Sequence, residues 1–181
     1  MLSAILDSNS SLGHPAVPTL VELIDPTQDD VLQAARNRGG ANVFVSAIET
    51  LGWQHWFEFP GPMTYFIPSD EVFRSSPSLP LRRASCVRWM QQADTALEHG
   101  LFDRYTAQGQ WTAEQLSEDT PLLDGFPITV SRSGVLTVNG AHVVKPDIES
   151  KNGIIHIINS LFPIKPDRLR TQPSRKIKES A

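Results

Sequence analysis

VNGAHVVKPDIESKNGIIHIINSLFPI, from Val138 to Ile164, is the stretch whose reading decides the fold. Two short apolar runs flank Asn139-Gly140, and an Asn-Gly pair favours a type I′ turn because both central residues take positive φ. The segment therefore predicts a β-hairpin. Beyond Lys145-Pro146, the polar run Asp147 to Glu149 reads as an exposed turn. A second pair, Asn152-Gly153, launches Ile154-Ile155-His156-Ile157-Ile158. That run is apolar on both faces except at the histidine, the pattern of a strand in the middle of a core.

Strands are also predicted at Ile128 to Ser131, Val135 to Val138, and Thr64 to Ile67, the last bounded by prolines. The first half reads as helical. Thr27 with Asp30 resembles a capping box ahead of Val31, Leu32 and Ala35, and Gly39-Gly40 stops that helix. Asn42 is placed to cap a second helix, where Phe44, Val45, Ile48 and Leu51 recur at helical spacing until Gly52. Ser69 is placed to cap a short helix through Phe73, and 75–80 reads as a loop. A longer helix is predicted from Ser85 to Glu98, burying Val87, Met90, Ala93 and Leu97 and ending at Gly100. Leu101-Phe102 then reads as the start of a strand or turn, and Thr112 as the cap of a brief helix. Helices first and antiparallel hairpins last indicate an α+β fold.

The chain has 181 residues, enough for one domain with extensions at both ends. Hydrophobic residues make up 40% and charged residues 20%, which fits a soluble globular protein with a real core. The charge is unevenly spread. The segment 165–181 carries a net +4 and the whole chain −4, so the preceding residues carry −8. An acidic body argues against nucleic-acid binding, which needs clustered Lys and Arg on the folded surface. One cysteine, Cys86, excludes an internal disulfide framework. No run of 18 apolar residues is present, so no membrane-spanning helix is expected. The domain is expected over 27–164, with an N-terminal arm over 1–26 and a basic tail over 165–181. That tail suits an anionic membrane surface or an acidic partner.

Three segments in order, TYFIPSDEVF (Thr64 to Phe73), LEHGLFDRYTAQGQWTAEQL (Leu97 to Leu116) and VNGAHVVKPDIESKNGIIHIINSLFP (Val138 to Pro163), resemble the motifs of fasciclin domains. The resemblance implies a wedge of about seven strands with helices packed alongside. It also implies a non-enzymatic role in adhesion or protein interaction, alone or as a subunit of a larger assembly. His99 aligns with the histidine of the family's tyrosine-histidine motif, although Glu98 precedes it where an aromatic residue is common. Asp147-Ile148 aligns with an Asp-Ile pair implicated in adhesion in some animal members. The family is usually exported, which implies an extracellular or periplasmic place. Met1 to Leu20 does not have the composition of a signal peptide, so a cytoplasmic place stays open.

Each candidate site has a structural and a functional reading. His99 either receives a partner or locks a helix corner through backbone hydrogen bonds. Asp147 and Ile148 either present a charge and an apolar knob to a partner, or cap a turn and tuck beneath it. The aromatic patch Trp53, Trp56, Phe57 and Phe59 plugs the core, forms a protein contact, or lines a groove for an apolar small molecule. Fasciclin proteins of photosynthetic organisms that bind carotenoids make a carotenoid the example for that last reading. His156 reads as a core histidine with its bonds satisfied. No metal-ligand spacing, nucleophile elbow or phosphate loop is present, so no metal, cofactor or catalytic residue is expected.

Overall fold

The computed structural model describes residues 28–74, 79–96 and 100–163. The expected arm at 1–26 and tail at 165–181 lie outside the described residues, as does His99.

Asp30 opens the first helix, α1 (Val31–Ala34), its carboxylate accepting the Gln33 N–H at 2.8 Å. A π-helical turn, Ala35–Gly39, continues it, and Gly40 ends it at φ 72°. Helix α2 (Asn42–Leu51) buries Val43, Phe44, Val45, Ala47 and Ile48. The asparagine expected to cap it does not. Asp70, brought in by a distant strand, accepts from the Val43 N–H at 2.7 Å and from Asn42 Nδ2 at 3.2 Å. A carboxylate satisfies orphan N–H groups and matches the positive end of the helix dipole better than an asparagine amide. Ser69, expected to cap the short helix Asp70–Phe73, makes no such bond. Asp70→Ala is expected to cost about 1–2 kcal/mol in urea unfolding, while Asp70→Asn keeps most of it.

Helix α3 (Leu79–Ala96) begins six residues before the predicted Ser85. Pro80 falls in its first turn, where the missing N–H has no intrahelical partner to lose. It packs through Cys86, Met90 and Ala93. Leu101-Phe102, expected to begin a strand or turn, lies in helix α4 (Gly100–Arg104). Gly100 sits at φ 81°, and the Asp94 carboxylate accepts the Leu101 N–H at 2.9 Å, holding the start of α4 to α3. The brief helix expected after Thr112 is a single turn.

One six-stranded sheet orders the described strands as β2-β1-β6-β5-β4-β3, with helices packed alongside as expected of the wedge. They are β1 (Met63–Pro68), β2 (Thr106–Gln108), β3 (Val130–Ser131), β4 (Thr137–Val138), β5 (Ala141–Ser150) and β6 (Gly153–Ile158). The turn between β4 and β5 has Asn139 at φ 50° and Gly140 at φ 81°, the two positive angles a type I′ turn requires. β6 is buried along its whole length between β1, which runs parallel to it, and β5, which runs antiparallel. Helices α1, α2 and α3 close the core. At its far end Tyr105 stacks on Phe162 at 4.6 Å, and the Tyr105 hydroxyl accepts the Phe162 N–H at 2.6 Å.

Candidate functional site

The aromatic patch divides into a buried and an exposed part. Trp53, which precedes a short 3-10 turn, Gln54–Phe57, stacks on Trp56 within it, with ring centroids 4.5 Å apart. Phe57 points inward, edge-on to Phe44 at 6.2 Å, and is a core residue. Phe59 points outward and is 51% exposed. The ring joining them is Phe102 on α4, which sequence reasoning missed. It lies 5.5 Å from Phe57, 6.0 Å from Trp56, 6.2 Å from Phe59 and 6.3 Å from Tyr65. Its only sequence signal was an aromatic residue just past a helix-stopping glycine. The segment is fixed from below by Asn152, whose Nδ2 donates to the Phe57 carbonyl at 2.7 Å and the Phe59 carbonyl at 3.0 Å.

The interior space among these rings is about 20 Å³, room for about one water. A long apolar molecule such as a carotenoid therefore has no enclosed seat among them. On the outer side lies an open cleft of about 510 Å³, lined by Trp56, Phe59, Met63, Phe102, Leu123, Gly100, Asp94 and Asp103. A larger cleft of about 710 Å³ runs past Leu32, Val45 and Pro60, but its charges are mixed. There Arg36 pairs with Glu49 at 2.8 Å, and Lys151 sits near Asp30 and Glu58 on the same lining.

Asp147 and Ile148 are strand, not turn. Both lie in β5, at an irregularity between Lys145 and Ile148 where the strand carries one residue more than β6. Pro146 has no N–H to give, and the Asp147 N–H finds no ladder partner. It donates instead to His156 Nδ1 at 3.3 Å. His156 Nε2 in turn donates to the Trp111 carbonyl at 2.8 Å, which fixes the neutral ring in its Nε2–H tautomer. The Asp147 carboxylate accepts the Ala113 N–H at 2.8 Å, so strand, histidine and the 111–113 segment close a ring of bonds. Asp147 itself takes φ 56°, which Asp tolerates better than most residues. Ile148 is buried, opposite Ile155, rather than projecting as a knob.

The titratable groups of the core are held in their uncharged forms. Burial pushes the Tyr65 hydroxyl up to about 12 and raises the Cys86 thiol further. Burial also raises Tyr105 and lowers His156, the latter against opposing effects of the Trp111 carbonyl and Asp147. None is poised for proton transfer near neutrality. Among the described residues no three His, Cys, Asp or Glu side chains cluster so as to hold a metal ion, and no helix is long and apolar enough to cross a membrane.

The described residues form an α+β fold, a six-stranded sheet with a buried parallel strand pair flanked by helices. The chain belongs to the fasciclin domain family, whose model matches residues 39–164. It is 28% identical to an uncharacterized protein of Synechocystis, sll1735, over 67% of this chain and 87% of that one. It is 25% identical to the transforming growth factor-beta-induced protein ig-h3 of Sus scrofa, over 80% of this chain but 20% of that protein. Among solved structures it is similar in fold to a domain pair from the insect cell adhesion molecule fasciclin I. That match has a TM-score of 0.55 and 18% identity, covering 75% of this chain and 51% of the other.

Proposed function

We propose that the chain is a non-catalytic interaction module whose contact surface is the aromatic corner formed by Trp53, Trp56, Phe59 and Phe102. One observation carries this reading. A large ring, Phe59, is held half exposed over a cleft by two hydrogen bonds from Asn152 to its own segment, while the neighbouring Phe57 is buried. Orienting an apolar ring towards water gains nothing for the fold, whereas aromatic anchors dominate protein interfaces. The kinship with proteins described by adhesion supports the same use.

Phe59→Ser tests it, because an exposed position changes stability by only about 0.5 kcal/mol. The full chain and the variant, each immobilised in a native extract, are compared by mass spectrometry of what they retain. A partner chain held by the wild type and lost by Phe59→Ser, at unchanged melting temperature, is the expected result. An unchanged set of retained proteins removes the aromatic corner as the contact surface. A near-stoichiometric visible chromophore on the native protein would replace the reading with that of a small-molecule carrier.

A further inference from the structure

The chain holds two Asn-Gly pairs, and the fold treats them in opposite ways. In such a pair the glycine backbone nitrogen can attack the asparagine side-chain carbonyl carbon, because no Cβ on the glycine obstructs ring closure. A C–N bond forms, ammonia leaves, and a five-membered succinimide results. Water then opens that ring at either carbonyl, leaving aspartate or isoaspartate. Neither an oxidant nor a cofactor takes part. The rate is favoured by an unengaged nucleophile, a polarised carbonyl and a leaving amide that nothing holds.

Asn139-Gly140 has all of these. Gly140 is exposed at the turn between β4 and β5, and a Cβ built on it would meet nothing within 4 Å. It lies between the paired residues Val138 and Ala141, outside the ladder, and among the described residues its N–H has no acceptor. The Thr129 N–H donates to Asn139 Oδ1 at 2.9 Å. That bond draws electron density from the carbonyl carbon and steadies the oxygen as it becomes negative during attack. Asn139 Nδ2 is buried and has no acceptor, so no bond holds the departing nitrogen.

At Asn152-Gly153 each feature is reversed. Asn152 Nδ2 donates to the Phe57 carbonyl at 2.7 Å and the Phe59 carbonyl at 3.0 Å, and no donor polarises its Oδ1. Gly153 is buried at the head of β6, where an added Cβ would overlap the Met63 carbonyl oxygen. Ring closure there has to break two hydrogen bonds and move a nucleophile packed between strands. We infer that Asn139 is a site of spontaneous covalent modification through a succinimide, and that the fold protects Asn152 from the same chemistry.

Either product places a new carboxylate on the turn, and isoaspartate also adds a methylene to the backbone between β4 and β5. Asn139 ties that turn to Thr129 twice, through Oδ1 and through its own N–H, which donates to the Thr129 carbonyl at 2.8 Å. Isoaspartate therefore distorts the β3–β4–β5 side of the sheet, while the Asn152 bonds to the Phe57 and Phe59 carbonyls stay whole.

The full chain is incubated in mildly alkaline buffer made with heavy-oxygen water, once folded and once unfolded in urea. Mass spectrometry of its peptides follows heavy-oxygen uptake at each asparagine, which separates conversion during the incubation from earlier damage. Chromatography resolves aspartate from isoaspartate. In the folded chain Asn139 is expected to convert at least about tenfold faster than Asn152, because two hydrogen bonds must break at the slower site. In urea the two rates are expected to converge. Conversion of folded Asn152 as fast as Asn139 overturns the inference. So does a folded chain whose Asn139 stays intact while unfolded Asn139 converts. The same preference for Asn139 persisting in urea also overturns it, because flanking sequence rather than the fold would then select the site.

Discussion

Gly153→Ala is expected to lower the unfolding free energy by about 3 kcal/mol or more. The reason is closeness rather than backbone conformation. Gly153 opens β6 directly beside Met63, the first residue of β1. A Cβ built on it would stand 2.9 Å from the Met63 carbonyl carbon and overlap the carbonyl oxygen. Nothing there is a flexible side-chain end that can swing aside. One strand must move, and the pair that moves is the parallel ladder from Met63↔Gly153 to Pro68↔Ile158. Gly61 meets the same crossing from the other side, because its added Cβ would strike the Asn152 carbonyl.

The disturbance also reaches the aromatic corner. Met63 lines the cleft, and the Asn152 amide that orients Phe59 belongs to the residue next to Gly153. Gly153→Ala is therefore expected to weaken partner retention along with stability, whereas Phe59→Ser weakens retention alone. Urea unfolding of both variants separates the two effects. A loss below about 1 kcal/mol for Gly153→Ala would mean that the two backbones do not approach this closely.

The features legible in the sequence were those written in neighbouring residues. Asn139-Gly140 specifies its turn through two adjacent φ angles, and the isoleucine run of β6 specifies a central strand through burial on both faces. Thr64 to Ile67 and the stripe of α2 were readable for the same reason. What sequence did not show depends on residues brought together from far apart. Asp70 takes over the capping of α2 from across 27 positions, displacing a local asparagine that fits the cap by type. Phe102 becomes the hub of an aromatic cluster only because α4 is folded back against the 3-10 turn at Gln54–Phe57. Asp147 is exposed, as its polarity indicates, yet it lies at an irregularity of a strand rather than in a turn. Its amide and carboxylate instead serve His156 and the Ala113 N–H. The four aromatic residues stand close together in the sequence, yet Phe57 and Phe59, two apart, face opposite ways. The Asn152 amide binds both of their carbonyls and fixes the segment that carries them, a contact from 93 and 95 positions away.

Replacing His156 is expected to remove both a structural bond set and a dependence on pH. His156→Ala leaves the Asp147 N–H and the Trp111 carbonyl without their partner and opens a hole against Phe66, on which the imidazole stacks at 5.6 Å. A cost of about 3 kcal/mol or more follows from the cavity and the two orphaned groups together. The electrostatic part is separable. Burial lowers the folded pKa of His156 below the 6.5 usual for a histidine side chain, with the Trp111 bond and the Asp147 charge opposing the shift only in part. Above that value the ring is neutral in both folded and unfolded chains and contributes no slope. As pH falls below it, the unfolded chain takes up a proton that the folded chain refuses, so stability falls, by at most about 1.4 kcal/mol per pH unit. The fall ends once the pH passes the folded pKa. Folded His156 donates at Nε2 and accepts at Nδ1, so a proton on Nδ1 would set two donors against each other at the Asp147 N–H. His156→Gln keeps hydrogen-bonding capacity and cannot titrate, which isolates this term. Unfolding free energies of wild type and His156→Gln, measured at steps below pH 6.5, are expected to converge as acid is added, because only the wild type loses this proton-linked stability. Parallel curves for the two proteins would show that His156 does not sit neutral in the core, and that the β5 irregularity is held by something else.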